Sequence, residues 1–128
     1  MKRYRLVHVQ AEGRIIKLYV RDEEGNRKII RVTDFYPYFY SKEIPKVENP
    51  EWIVKIERGF KTIFGEHVYK IYVRHPGLVP KIRKQNDYEA DIPYVRRFLI
   101  DSGIKNYFLA PDKEEISWKE IKPIELIH

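Results

Sequence analysis

The residues best suited to recognition chemistry sit in three short stretches where proline stands beside an aromatic or aliphatic residue. They are residues 34–40 (DFYPYFY), 75–83 (HPGLVPKIR) and 89–103 (EADIPYVRRFLIDSG). Proline locks its own backbone and pushes the residue before it into extended geometry, so each stretch makes a rigid corner. Corners bearing Pro37, Tyr38, Pro76, Val79, Pro80 and Tyr94 have the makings of a fixed slot for a flat ring. The plainer alternative is turn chemistry alone, with prolines ending elements and tyrosines packing locally. Cations follow the second and third corners: Lys81, Arg83 and Lys84, then Arg96 and Arg97, all suited to phosphate.

Catalytic patterns are missing by comparison. No nucleophile elbow, P-loop, dinucleotide fingerprint or metal-spaced His/Asp cluster occurs. His8, His67, His75 and His128 are scattered, and the acid pairs Glu23-Glu24 and Glu114-Glu115 fall in turn-like stretches. The expectation is a chain that is not an enzyme, with no catalytic residue, no metal and no cofactor.

The elements that must position the corners follow from periodicity. Residues 2–10 alternate, with Tyr4, Leu6 and His8 on one side and Val7 and Val9 on the other; 14–21 and 27–33 repeat the pattern. Turn residues at 11–13 and 23–26 join them, so the spacing predicts an antiparallel meander. Pro37 interrupts an aromatic run and demotes it to an edge or bulge. Residues 42–51 read as a linker. Residues 52–64 and 67–74 form a long hairpin about Gly65-Glu66, with Tyr69, Ile71 and Val73 on one face and Val68, Lys70, Tyr72 and Arg74 on the other.

A short cationic helix follows from Pro76 to about residue 84, then an extended piece at 87–90. Asp91 is a suitable N-cap for a helix over 92–102, with Pro93 in its first turn and Gly103 past its end. Ile92, Val95, Phe98 and Leu99 share its core face. Tyr94, Arg97 and Asp101 fall on the opposite, exposed face, which makes Tyr94 and Arg97 functional candidates.

Composition bounds the partners. At 128 residues the chain makes one domain, and no apolar run is long enough to span a bilayer, so no membrane partner is expected. The net charge of +6 favours a polyanion. The absence of cysteine fits a reducing, cytoplasmic location, and the Lys, Glu, Ile and Tyr richness fits a thermophilic source.

In that order, DFYPYFY, HPGLVPKIR and YEADIPYVRRFLIDSGI resemble the N-terminal domain of archaeal family B DNA polymerases, over about residues 7–104. In that family this domain precedes the exonuclease and carries a pocket for uracil in the template strand. The resemblance implies base-binding roles for His8, Pro37, Tyr38, Pro76, Val79, Pro80, Tyr94 and Arg97, and phosphate-binding roles for Lys81, Arg83, Lys84 and Arg96. Tyr94 replaces a phenylalanine, His8 stands where the family has a tyrosine, and Ala90 stands where it has an aromatic. Residues 42–51 replace a family helix. KPIELI in the tail lacks the aspartate that would begin the exonuclease, so the exonuclease and polymerase domains are absent from this chain.

These readings combine into an α+β fold, an antiparallel β meander plus a reduced ferredoxin-like (RNA-recognition-like) unit with a flanking helix. Residues 1–104 form the polymerase N-terminal-like domain and 105–128 a C-terminal tail packed on it. The implied function, in DNA replication and repair, is binding of single-stranded or template DNA with recognition of uracil, the product of cytosine deamination. The alternative is a structural N-terminal subunit of a split or inactivated polymerase, docking on a separate catalytic chain without sensing uracil.

Overall fold

A computed structural model of the chain describes residues 1–85 and 87–124. Asn86 and residues 125–128, which include His128 and the end of the tail, lie outside the described residues. The elements run β1 (Lys2–Glu12), β2 (Ile15–Arg21), β3 (Arg27–Val32), β4 (Tyr38–Ser41), β5 (Ile53–Lys61), β6 (His67–Val73), α1 (Val79–Ile82), α2 (Tyr94–Ser102), β7 (Tyr107–Ala110), β8 (Glu115–Ile116) and β9 (Lys122–Ile124). The fold is mixed α+β. No described helix is long and apolar enough to cross a membrane.

Two compact units emerge, Met1–Phe35 with the described residues from Pro93 onward, and Tyr36–Ile92. The first is built on the expected meander, because alternating apolar residues on β1, β2 and β3 must bury one face. Its sheet has the order β8-β3-β2-β1-β7-β9, with β8 parallel to β3. Residues 107–110 and 122–124, from the expected tail, are therefore strands of this same sheet. Ile16, Leu18, Val20, Ile30, Val32, Phe98 and Phe108 pack its core. Phe98 is fully buried, a burial that contributes about 2 kcal/mol.

A β-bulge between Leu6 and His8 changes the phase of β1. Tyr4 and Leu6 pack inward, and so do Val9 and Ala11 beyond the bulge. His8 pairs with Tyr19 on the outward face. The expected grouping of His8 with Tyr4 and Leu6 is thus corrected, since one extra residue flips every side chain after it.

Helix α2 ends where predicted: Gly103 takes a left-handed φ of 76° and donates its N–H to Leu99 O at 3.1 Å. Glycine is required there for its φ, and a Cβ would also lie 3.1 Å from the Pro123 ring. The start differs. Pro93, not Asp91, occupies the N-cap and gives no side-chain cap bond. Asp91 instead forms an ion pair with Arg83.

The second unit is a three-stranded sheet of order β4-β6-β5. Phe39, Ile71 and Val73 pack one face against Val79 and Ile82 of α1. At the tip of the β5–β6 hairpin Ile63 and Phe64 are 95% and 82% exposed.

Candidate nucleic-acid interface

Within the second unit, strand pairing brings the first two corners together. Tyr38 pairs with Tyr72, and Pro37 O accepts from Val73 N at 2.9 Å. Three residues after Val73 comes Pro76. A single 3₁₀ turn over Pro76–Leu78 is capped by His75, whose Nδ1 accepts from Gly77 N at 2.9 Å. Such a cap takes the place of water at an exposed turn amide and fixes the turn. Val79 is 9% exposed and belongs to the core with Phe39, Val73 and Ile82, whereas Pro80 is exposed. The side chain of Val79 thereby anchors the corner from beneath.

The other face of this sheet is aromatic and centred on Lys70. Its Nζ lies 4.1 Å from the Tyr38 ring centroid, 4.9 Å from Tyr72 and 5.7 Å from Phe60. Tyr40 packs edge-on against both Tyr38 and Phe60. Each cation–aromatic contact contributes about 0.5–1 kcal/mol and holds the rings in place. Sequence alternation put Lys70 and Tyr72 on this face, but gave no sign that Phe60, on another strand, would complete it.

The cations after the second corner are unequal. Lys81 is exposed with no carboxylate within 4.0 Å among the described residues, while Arg83 pairs with Asp91 and Lys84 with Glu43. The hydrogen bond from Lys84 holds the Glu43 carboxyl below its ordinary range, and the same bond holds the Lys84 ammonium above its own. A phosphate at Arg83 or Lys84 must compete with an acid already there. At Lys81 it need not.

The remaining candidates belong to the first unit. Tyr94 and Arg97 sit one turn apart on α2, but not on an exposed face as expected. Arg97 is 5% exposed, and Tyr94 is half-buried against the core. Long-range neighbours cover more of this nine-residue helix than its apolar stripe alone implies. The Tyr94 hydroxyl lies 2.6 Å from Arg14 O and 2.5 Å from Phe35 O, and its ring packs on Phe35 at 5.7 Å. Arg96, on the opposite side of the helix, is exposed. His8 stands on the outward face of the sheet, its ring 5.6 Å from that of Tyr19, away from the core that Phe98 joins. No group of three or more metal-ligating side chains occurs among the described residues.

No protein-family model matches the chain. Curated relatives do. The DNA polymerase of Thermococcus sp. (strain GE8) is 30% identical over 120 residues, covering 76% of this chain and 7% of that protein. The DNA polymerase of Thermococcus kodakarensis is likewise 30% identical, over the same shares. That of Desulfurococcus sp. (strain Tok) is 29% identical over 76% of this chain and 16% of its own length. Among solved structures, the family B DNA polymerase of the hyperthermophilic archaeon Pyrobaculum calidifontis superposes with a TM-score of 0.65 at 22% identity, over 87% of this chain and 18% of that one. This likeness shows the fold.

The chain therefore spans between 7% and 16% of the length of these curated relatives. The expectation that it is not an enzyme is corrected by the same finding. The relatives are named DNA polymerase, an enzyme, although the match lies in their N-terminal part and catalytic activity of this chain is not shown. The chain is homologous to the N-terminal region of archaeal family B DNA polymerases.

Proposed function

We propose that this chain binds single-stranded template DNA and recognises uracil at its proline corners. The observation that carries the reading is the bond from Val73 N to Pro37 O, which ties the first corner to the strand leading into the second. Around it the Tyr38 ring is held by Lys70 and Tyr72, and the Pro76 turn is capped by His75 and anchored by Val79. Uracil and thymine differ by one methyl group. A wall that cannot yield discriminates between them, because forcing a methyl into a stiff site costs about 1–3 kcal/mol. Template that is already single-stranded gives up little stacking when a base turns outward. Lys81 and Arg96, exposed and without an acid partner within 4.0 Å among the described residues, contact phosphates.

Tyr94 is a structural tether of the first unit in this reading, since its hydroxyl fixes the carbonyl of Phe35. A second reading, docking on a separate catalytic chain, is favoured by the exposed Ile63 and Phe64 at the hairpin tip. The substitution Pro80→Gly tests the first reading. It relaxes the second corner at an exposed position, so preference for a uracil strand should fall while affinity for a thymine strand stays the same. Retained preference in this variant refutes the rigid-corner mechanism.

A further inference from the structure

Away from these corners, the outward face of the six-stranded sheet carries a row of like charge. The register sets Arg5 opposite both Arg21 and Tyr107, and Arg21 opposite Arg27. Directly opposed residues share a face, so Tyr107, Arg5, Arg21 and Arg27 form one line across four strands. Strands lie about 4.8 Å apart, which brings three guanidinium-bearing positions within about 10 Å. Like charges directly opposite one another destabilise a sheet.

Among the described residues no ion pair neutralises this row. Among the described residues, no carboxylate lies within 4.0 Å of Arg3, Arg5, Arg21 or Arg27. Other cations of the same face are matched, Lys17 by Glu12 at 2.8 Å and Arg31 by Glu115 at 3.7 Å. The adjacent acid, Asp22, is committed to its own turn. It accepts from the amides of Asn26 and Glu24 at 2.9 and 3.0 Å, and the Asn26 bond above all holds its carboxyl below the ordinary range.

The row also has shape. A cavity of about 370 Å³ is lined by Arg3, Arg5, Arg21 and Tyr107, and on its rim by Asp22 and Glu23, with the Arg3 guanidinium 4.9 Å from the Tyr107 ring centroid. It shares Arg21 with a groove of about 510 Å³ lined by Arg27, Tyr19, His8 and Ile29. Val7 and Ile29 are 58% and 46% exposed.

We propose that this face binds the backbone of a single-stranded nucleic acid. Guanidinium forks match phosphate oxygens, and an anion seated among them relieves the repulsion. Ring faces and exposed aliphatic side chains beside the row suit unstacked bases, which a duplex does not present, so a single strand fits better than a double helix. An acidic polypeptide would use the charges but leave the rings idle. Apart from His8, to which the resemblance gives a base-binding role, the surface shares no residue with the uracil reading.

The test compares wild type with the triple variant Arg5→Gln, Arg21→Gln, Arg27→Gln. Labelled oligodeoxyadenylate and oligoadenylate are each titrated at several salt concentrations. Three lost phosphate contacts should lower the slope of log K against log salt by about 2, at about 0.7 per phosphate. The ratio of affinities for uracil and thymine strands should not change. Dependence on the arginines in either titration supports the site, and the two together say whether ribose matters. Unchanged slope and affinity, or no strand binding by wild type at low salt, overturns it. So does arginine-dependent binding of polyglutamate without arginine-dependent binding of either strand. If the triple variant does not fold, the single variants Arg5→Gln and Arg27→Gln probe the same contacts. Each should lose about 0.7 of slope, and an unchanged slope in both overturns the site equally.

Discussion

Tyr94→Phe separates a structural tether from a binding contact. The hydroxyl lies 2.6 Å from Arg14 O and 2.5 Å from Phe35 O, while the ring packs on Phe35 at 5.7 Å. Phenylalanine keeps the ring and removes the donor. A neutral hydrogen bond contributes about 1 kcal/mol, so that is the expected loss. For a chain of 128 residues, unfolding entropy of about 2.1 cal/mol/K per residue amounts to roughly 0.27 kcal/mol/K. The melting temperature should therefore fall by about 4 °C. Tyr94→Ala, which also empties the ring's site, should cost about 3 kcal/mol and about 11 °C. Calorimetry on the three proteins gives the comparison. Oligonucleotide affinity of the phenylalanine variant, measured well below its transition, should match wild type. A variant that melts with wild type but loses affinity would show that the hydroxyl serves the ligand, and the tether argument would fail.

Four further outcomes follow from the geometry. Arg97→Ala should destabilise by on the order of 2 kcal/mol in chemical denaturation, because the side chain is 5% exposed and its removal leaves space in the packing. Lys81→Gln and Arg96→Gln should each lower the salt slope of strand binding by about 0.7, whereas Arg83→Gln and Lys84→Gln, whose cations already hold Asp91 and Glu43, should lower it less. Hydrogen bonds from Lys28 and then Lys2 hold Asp112 below its ordinary 3.8, so its contribution is present above that value and lost as pH falls below it. Asp112→Asn should accordingly flatten the fall in melting temperature measured below pH 3.8. Phe64→Ser, at a residue 82% exposed, should leave stability within about 0.5 kcal/mol of wild type in thermal melts.

Local pattern carried much of the architecture. Alternation and turn residues placed β1 to β3 and the β5–β6 hairpin, and Gly103 marked the end of α2, because each is decided by neighbours in sequence. The misses share a different cause. The bulge at Val7 has no glycine or proline to announce it, so the phase of His8 was lost. Asp91 looked like a cap, but an arginine eight residues earlier took its carboxylate. Arg97 looked exposed on a helical wheel, yet tertiary neighbours cover it. The acceptors of the Tyr94 hydroxyl lie 80 and 59 residues away, and the opposed arginines of β1, β2 and β3 meet only through sheet register. Part of the proposed recognition surface was therefore legible as residue types at corners, but the partners that decide which side chains remain available were not.

The central claim is that proline-fixed corners exclude a methyl group. Its most direct measurement is an equilibrium titration of the wild-type chain with two oligonucleotides identical except for one uracil or thymine. A steric cost of about 1–3 kcal/mol predicts that the uracil strand binds about tenfold to a hundredfold more tightly. Equal dissociation constants for the two strands would contradict the claim.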